Sequence, residues 1–109
     1  MTTISLEHPV VTTINTFTVA PHHQRRALAL LVEIARRLRR EVPDFVSANF
    51  HTSVDGTHVV NYAQYASQEA VQAVTAKVME WAEDPVVAEL RQLVTPDTRL
   101  YELCTILED

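Results

Sequence analysis

The chain has 109 residues, 47% of them hydrophobic and 21% charged, with a net charge of −5; that length fills one core and not two, so residues 1–109 read as a single domain. The acidic balance argues against nucleic acid as a partner, and no apolar run reaches the ~20 residues that a membrane span needs. The lone Cys104 rules out an intrachain disulfide framework, and with no basic n-region or apolar h-region in MTTISLEHPV a reducing cytoplasm is the expected compartment.

In chain order, Val10 to Val19 (VVTTINTFTV) alternates, is rich in β-branched residues and stops before Pro21, which predicts a first strand. From Pro21 to Glu41 the period becomes helical, with Leu28, Leu31, Ala35 and Leu38 on one stripe and Val42-Pro43 as the stop. Arg25, Arg26, Arg36, Arg37, Arg39 and Arg40 crowd into this segment and read as the solvated face of an amphipathic helix. Phe45 to Ser53 and Thr57 to Tyr65 are two strands around Asp55-Gly56, which holds the chain's only glycine and signals a hairpin. Ser67 caps a second helix running to about Trp81, and Asp84-Pro85 opens a third ending near Val94. Thr98 to Leu107 is the last strand.

The order βαββαβ, with its second helical region split, predicts an α+β ferredoxin-like fold: a four-stranded antiparallel sheet of order 4-1-3-2 with helices on one face. The other face, carrying Ile14, Val60 and Tyr62 among polar residues, then needs a cover. A homodimer joined sheet to sheet, closing into a barrel, supplies one.

A two-residue turn at Asp55-Gly56 pairs Phe50 with Asn61, Ala48 with Ala63 and Val46 with Tyr65. The face that results is apolar except for Asn61 and turns toward the helices; the first strand repeats the oddity, with Asn15 amid Val11, Thr13, Phe17 and Val19. A buried primary amide without partners costs about 1–3 kcal/mol. The two amides therefore either satisfy each other, pinning the register, or point at a ligand in a pocket. Tyr65, Trp81 and Arg91 are further candidates, while His51 joins the face of Asn61 with a three-residue bulged turn and leaves it with a two-residue one. There is no HExxH, CxxC or His/carboxylate cluster for a metal, no glycine-rich phosphate loop and no nucleophile elbow. Chemistry here would work by positioning and polarising.

The run VPDFVSANFHTSVDGTHVVNYAQYASQEAVQAV, followed by EDPVVAELRQL, resembles the antibiotic biosynthesis monooxygenase family, most closely its small quinone-forming members of aromatic polyketide pathways, the actinorhodin type. The resemblance spans roughly residues 10 to 95 and implies a homodimer with a cavity in each subunit. It also implies oxidation of a small aromatic substrate, a phenolic or anthrone-type polycycle, by O2 without metal, flavin or haem. The family's strand asparagine falls on Asn61, its strand histidine on His51 and its helix arginine on Arg91; its tryptophan is Tyr65 here, and a tyrosine often found on the next helix is Val71. On this reading Asn61, Arg91 and Tyr65 are catalytic, and Asn15, Phe50, His51 and Trp81 bind substrate. A non-catalytic ligand-binding dimer and a cofactor-free isomerase or cyclase are the alternatives.

Overall fold

A computed structural model describes residues 2–7 and 10–108 of the chain. The strands are β1 (Val11–Val19), β2 (Phe45–Thr52), β3 (His58–Tyr65) and β4 (Val94–Tyr101); the α-helices are α1 (Gln24–Glu41), α2 (Gln68–Glu80) and α3 (Pro85–Leu93). They form one antiparallel sheet of order β2-β3-β1-β4 with the helices on one face, the expected ferredoxin-like topology. Among the described residues no helix is long and apolar enough to cross a membrane.

Helix α1 buries Ala27, Leu30, Leu31, Ile34, Ala35 and Leu38, each large apolar side chain contributing about 1.5–3 kcal/mol. Its entry differs from the expected continuous helix, because Pro21–His23 form a short 3-10 turn first. Gln24 then anchors the helix start by donating from Nε2 to the carbonyls of Ser53 and His58, both at 3.0 Å. Two of the predicted caps are in place: Ser67 Oγ accepts from the Ala70 amide at 3.2 Å and Asp84 Oδ1 from the Val86 amide at 2.9 Å, each satisfying an orphan donor of a helix start. Arg37 Nη1 reaches the other Asp84 oxygen at 2.9 Å and so ties α1 to the start of α3. The Val86 amide, with Arg37 beside it, holds the Asp84 carboxyl below its ordinary range.

The β2–β3 register is the expected one over most of its length, with Phe50 opposite Asn61 and Ala48 opposite Ala63. The turn that sets it is longer. The Gly56 amide donates to the Ser53 carbonyl and the Ser53 amide to the His58 carbonyl, so four residues, 54 to 57, form the loop instead of two. Adding one residue to each side leaves every pair unchanged. Side chains hold the loop: Ser53 Oγ accepts from the amides of Thr57 and His58, and Asp55 Oδ1 from the amide and hydroxyl of Thr57. Gly56 has φ +82°, and a Cβ there would lie 3.3 Å from Cβ of Pro21, so both its conformation and its neighbour favour glycine. At the far end a bulge between Phe45 and Ser47 puts Phe45, not Val46, opposite Tyr65.

The last strand starts four residues earlier than expected and stops at Tyr101. Val94 pairs with Val19 as soon as α3 ends, and Pro96 lies opposite Phe17. A proline in a strand is tolerated at a sheet edge, where its missing N–H is not needed, and β4 is an edge. The outer face of the sheet is partly covered by residues 2–7, which carried no expectation: Gln64 Nε2 donates to the Thr3 carbonyl at 2.7 Å and Thr2 Oγ1 to Asn49 Oδ1 at 2.9 Å.

Candidate active site

Between the sheet and the three helices lies a cavity of about 370 Å³. Its roof is aliphatic, from Leu31, Ile34 and Leu38 of α1, Val71, Val74 and Val78 of α2, and Val87 and Leu90 of α3. Its floor is the inner face of the sheet. There the β1–β3 register sets Asn15 directly opposite Asn61, and Phe50 follows on β2, so the two amides and a phenyl ring form one row across three strands. Both asparagines line the hollow, and among the described residues no hydrogen bond joins them.

Asn61 is 7% exposed, and its amide has a defined polarity. The backbone N–H of Asn49 donates to Asn61 Oδ1 at 3.0 Å. A backbone N–H has no lone pair to offer, so the atom facing it must be the oxygen. Nδ2 is then the free end of the amide on the cavity wall, with no hydrogen-bond partner among the described residues. From the opposite face of the sheet Asn49 is itself pinned, its Nδ2 donating to the Tyr62 carbonyl at 2.9 Å.

Tyr65 is buried on the same floor, stacked on Phe45 with ring centroids 4.9 Å apart. Burial pushes its phenol above the usual tyrosine range, and the neighbouring Thr13 hydroxyl offsets part of the rise. The group stays protonated at neutral pH and so keeps a proton to donate. Arg91, on α3, also lines the cavity and has no ion pair or hydrogen bond among the described residues. With Met79 on α2 and Thr98 on β4 it belongs to the exposed part of the lining, which marks the mouth of the hollow.

Five residues singled out in the sequence, Asn15, Phe50, Asn61, Tyr65 and Arg91, thus meet around one cavity. Two do not. His51 is exposed on the outer face, opposite Val60, with its ring Nδ1 3.2 Å from the Asn49 carbonyl; the register kept by the four-residue loop sends it away from Asn61. Trp81 sits at the C-cap of α2, half-buried against the core and outside the cavity lining. Sequence reasoning passed over Thr13, fully buried on the cavity wall; a threonine in a β-branched strand carries no signal of its own.

A small ferredoxin-like domain with a largely aliphatic cavity and an oriented amide on its floor is what comparison with known proteins has to place. The antibiotic biosynthesis monooxygenase family model matches residues 10–77, and the chain belongs to that family. It is 46% identical over 76 residues, 70% of this chain and 68% of the other, to tetracenomycin-F1 monooxygenase of Streptomyces glaucescens. Among solved structures, the ActVA-Orf6 monooxygenase of Streptomyces coelicolor, in complex with nanaomycin D, matches with a TM-score of 0.69 at 29% identity, covering 94% of this chain and 95% of that one. SnoaB of Streptomyces nogalater, a cofactor-independent oxygenase, matches with a TM-score of 0.72 at 25% identity, covering 93% and 99%.

Proposed function

We propose that the protein is a cofactor-independent monooxygenase that oxidises a phenolic or anthrone-type polycycle to a quinone with O2. The observation that carries this reading is the fixed polarity of Asn61: a buried N–H donor, held from behind by the Asn49 amide, faces an apolar hollow large enough for a fused-ring ligand. An electron-rich phenol reacts with O2 once it is ionised. The site must therefore favour the phenolate or enolate over its neutral form. The Asn61 N–H group, assisted by Asn15 opposite it, donates to that oxygen where water is excluded, the setting in which such donors act most strongly. Arg91 at the mouth adds positive charge toward the developing anion or peroxide, and Phe50 and Tyr65 supply ring faces to the substrate. The relatives named above, a tetracenomycin-F1 monooxygenase and a cofactor-independent oxygenase, support the same class of reaction.

The test is purified protein with an anthrone-type phenol, followed by oxygen uptake and quinone absorbance with no added metal or flavin. Asn61→Ala is expected to lower turnover by ~10²-fold or more while the fold persists; wild-type turnover in that variant would overturn the scheme. Product formation without O2 would identify a cofactor-free isomerase or cyclase, and tight binding without any turnover a ligand-binding module.

We propose further that the working form is a homodimer joined through the outer face of the sheet. Ile14, Val60 and Tyr62 lie half-buried on that face of the single chain, and one structural neighbour, related in fold, is described as a dimeric ferredoxin-like protein. Light scattering should give twice the chain mass, reduced to one chain by Val60→Asp.

A further inference from the structure

Thr13 poses a problem that the reading above leaves unsolved. Its side chain is 1% exposed, and its Oγ1 is the one fully buried side-chain polar atom without a hydrogen-bond partner among the described residues. Leaving a hydroxyl in that state costs about 1–3 kcal/mol, and an apolar valine would fill the same shape. Tyr65 lies opposite Val11, so it is the diagonal neighbour of Thr13 on the same face of the sheet. The two residues belong to the cavity wall, and each is buried.

The register shows where this hydroxyl pair stands relative to the amides. Thr13 is two residues from Asn15 along β1 and opposite Ala63, while Asn15 is opposite Asn61. Two residues of antiparallel strand span about 7 Å. The floor therefore presents two separate hydrogen-bonding stations on one face, the amides Asn15 and Asn61 and the hydroxyls Thr13 and Tyr65. A ring that bears oxygens on opposite carbons has the length to meet both.

We propose that the Thr13–Tyr65 pair is the station for the second oxygen, the one that arrives from O2 on the ring carbon opposite the oxygen held by Asn61, with Thr13 as a positioning residue acting through the Tyr65 hydroxyl. This rests on the oxygenase reading and adds the site of oxidation to it. Dioxygen bonds to that carbon of the anion, which gives up two electrons, and the resulting peroxide takes one proton to become a hydroperoxide. The carbon then loses its remaining proton as the O–O bond breaks and hydroxide leaves; a C=O remains, and hydroxide and the proton make water. Tyr65 donates to the carbon-bound oxygen throughout, and Thr13 donates in turn to the Tyr65 oxygen. Its missing partner is then supplied, and the chained bonds strengthen one another.

The experiment measures equilibrium binding of a dihydroxyanthrone, kept free of oxygen, and of the corresponding dihydroxyanthraquinone, which differs by the second oxygen. Thr13→Val is expected to weaken quinone binding about fivefold to tenfold, to leave anthrone binding within about twofold, and to keep or raise the melting temperature, because a partnerless hydroxyl has been removed. Thr13→Ser should restore the preference for the quinone, and Tyr65→Phe, which keeps the ring stacked on Phe45, should lose it as Thr13→Val does. Equal weakening of both ligands, unchanged quinone affinity, or a fall in stability in Thr13→Val with no recovery in Thr13→Ser would each overturn the proposal and mark Thr13 as core packing. Since binding is read without turnover, a protein that shows the selective loss yet leaves the anthrone unoxidised in air retains the station and loses the oxygenase reading.

Discussion

Helices α1 and α2 lie on the same face of the same sheet, yet they are held in different ways. Helix α1 buries six residues, whereas α2 over thirteen residues buries only Ala70. Its apolar positions Val71, Val74 and Val78 are half-buried and look into the cavity. Both helices roof the hollow, but α1 is buried as it does so and α2 is only half-buried. The apolar stripe of α2 is only partly packed against the core, whereas that of α1 is buried in it, and this is how a small domain keeps a hollow without losing its fold.

The contrast breaks most sharply under truncation. Leu30→Ala, in the core stripe of α1, should cost about 2–5 kcal/mol, read as a large shift of the denaturation midpoint. Val74→Ala on the roof should cost less than Leu30→Ala, because the side chain is only half-buried and borders the cavity, and should alter ligand affinity as well. Ser67→Ala removes the cap of α2 and should cost about 1 kcal/mol; substrate affinity is expected to fall with it, whereas equal stability in both proteins would show that the cap is not what holds the roof. Hydrogen exchange sharpens the comparison without mutation: the amides of α2 should exchange well before those of α1 in the free protein, and bound quinone should slow α2 more than α1. The smallest expected effect lies outside both helices. Its hydrogen bonds from Thr57 and Ser53 hold the Asp55 carboxyl at about 2 instead of 3.8. A depressed carboxyl stabilises the fold above its unfolded pKa, so that contribution is complete above 3.8 and is lost as the pH falls toward 2. Asp55→Asn should flatten acid unfolding in that window and leave activity at neutral pH unchanged.

Much of this was readable in the sequence, for identifiable reasons. Alternation, the helical stripe of α1 and the caps Ser67 and Asp84 are local signals, and together with short connections they leave few topologies open. Asn61 stood out because an amide broke an apolar face. The register of its hairpin around Asn61 was read correctly from the wrong turn, since a longer loop with equal arms preserves those pairs; the bulge at Val46 breaks only the last. What escaped depends on non-local contacts. The start of β4 was hidden because Pro96 reads as a break until the strand is known to be an edge. The placements of His51 and Trp81 follow from a loop length and a helix end that differ by a residue or two from other admissible choices. The bond from the Asn49 amide to Asn61 joins residues that the pattern assigns to opposite faces of the sheet, and nothing in the pattern announces it.

That bond has a practical corollary for the purified protein. Hydrolysis of the Asn61 amide, however slow in a buried strand, would exchange one nitrogen for one oxygen. The Asn49 N–H would still find its acceptor, so the register would hold and circular dichroism would look intact. The group facing the hollow, however, would have turned from an amide N–H donor into a carboxyl group whose donor is lost whenever it ionises. An ageing preparation can thus change the chemistry of its cavity while keeping its secondary structure, and intact mass spectrometry is the assay that would expose it.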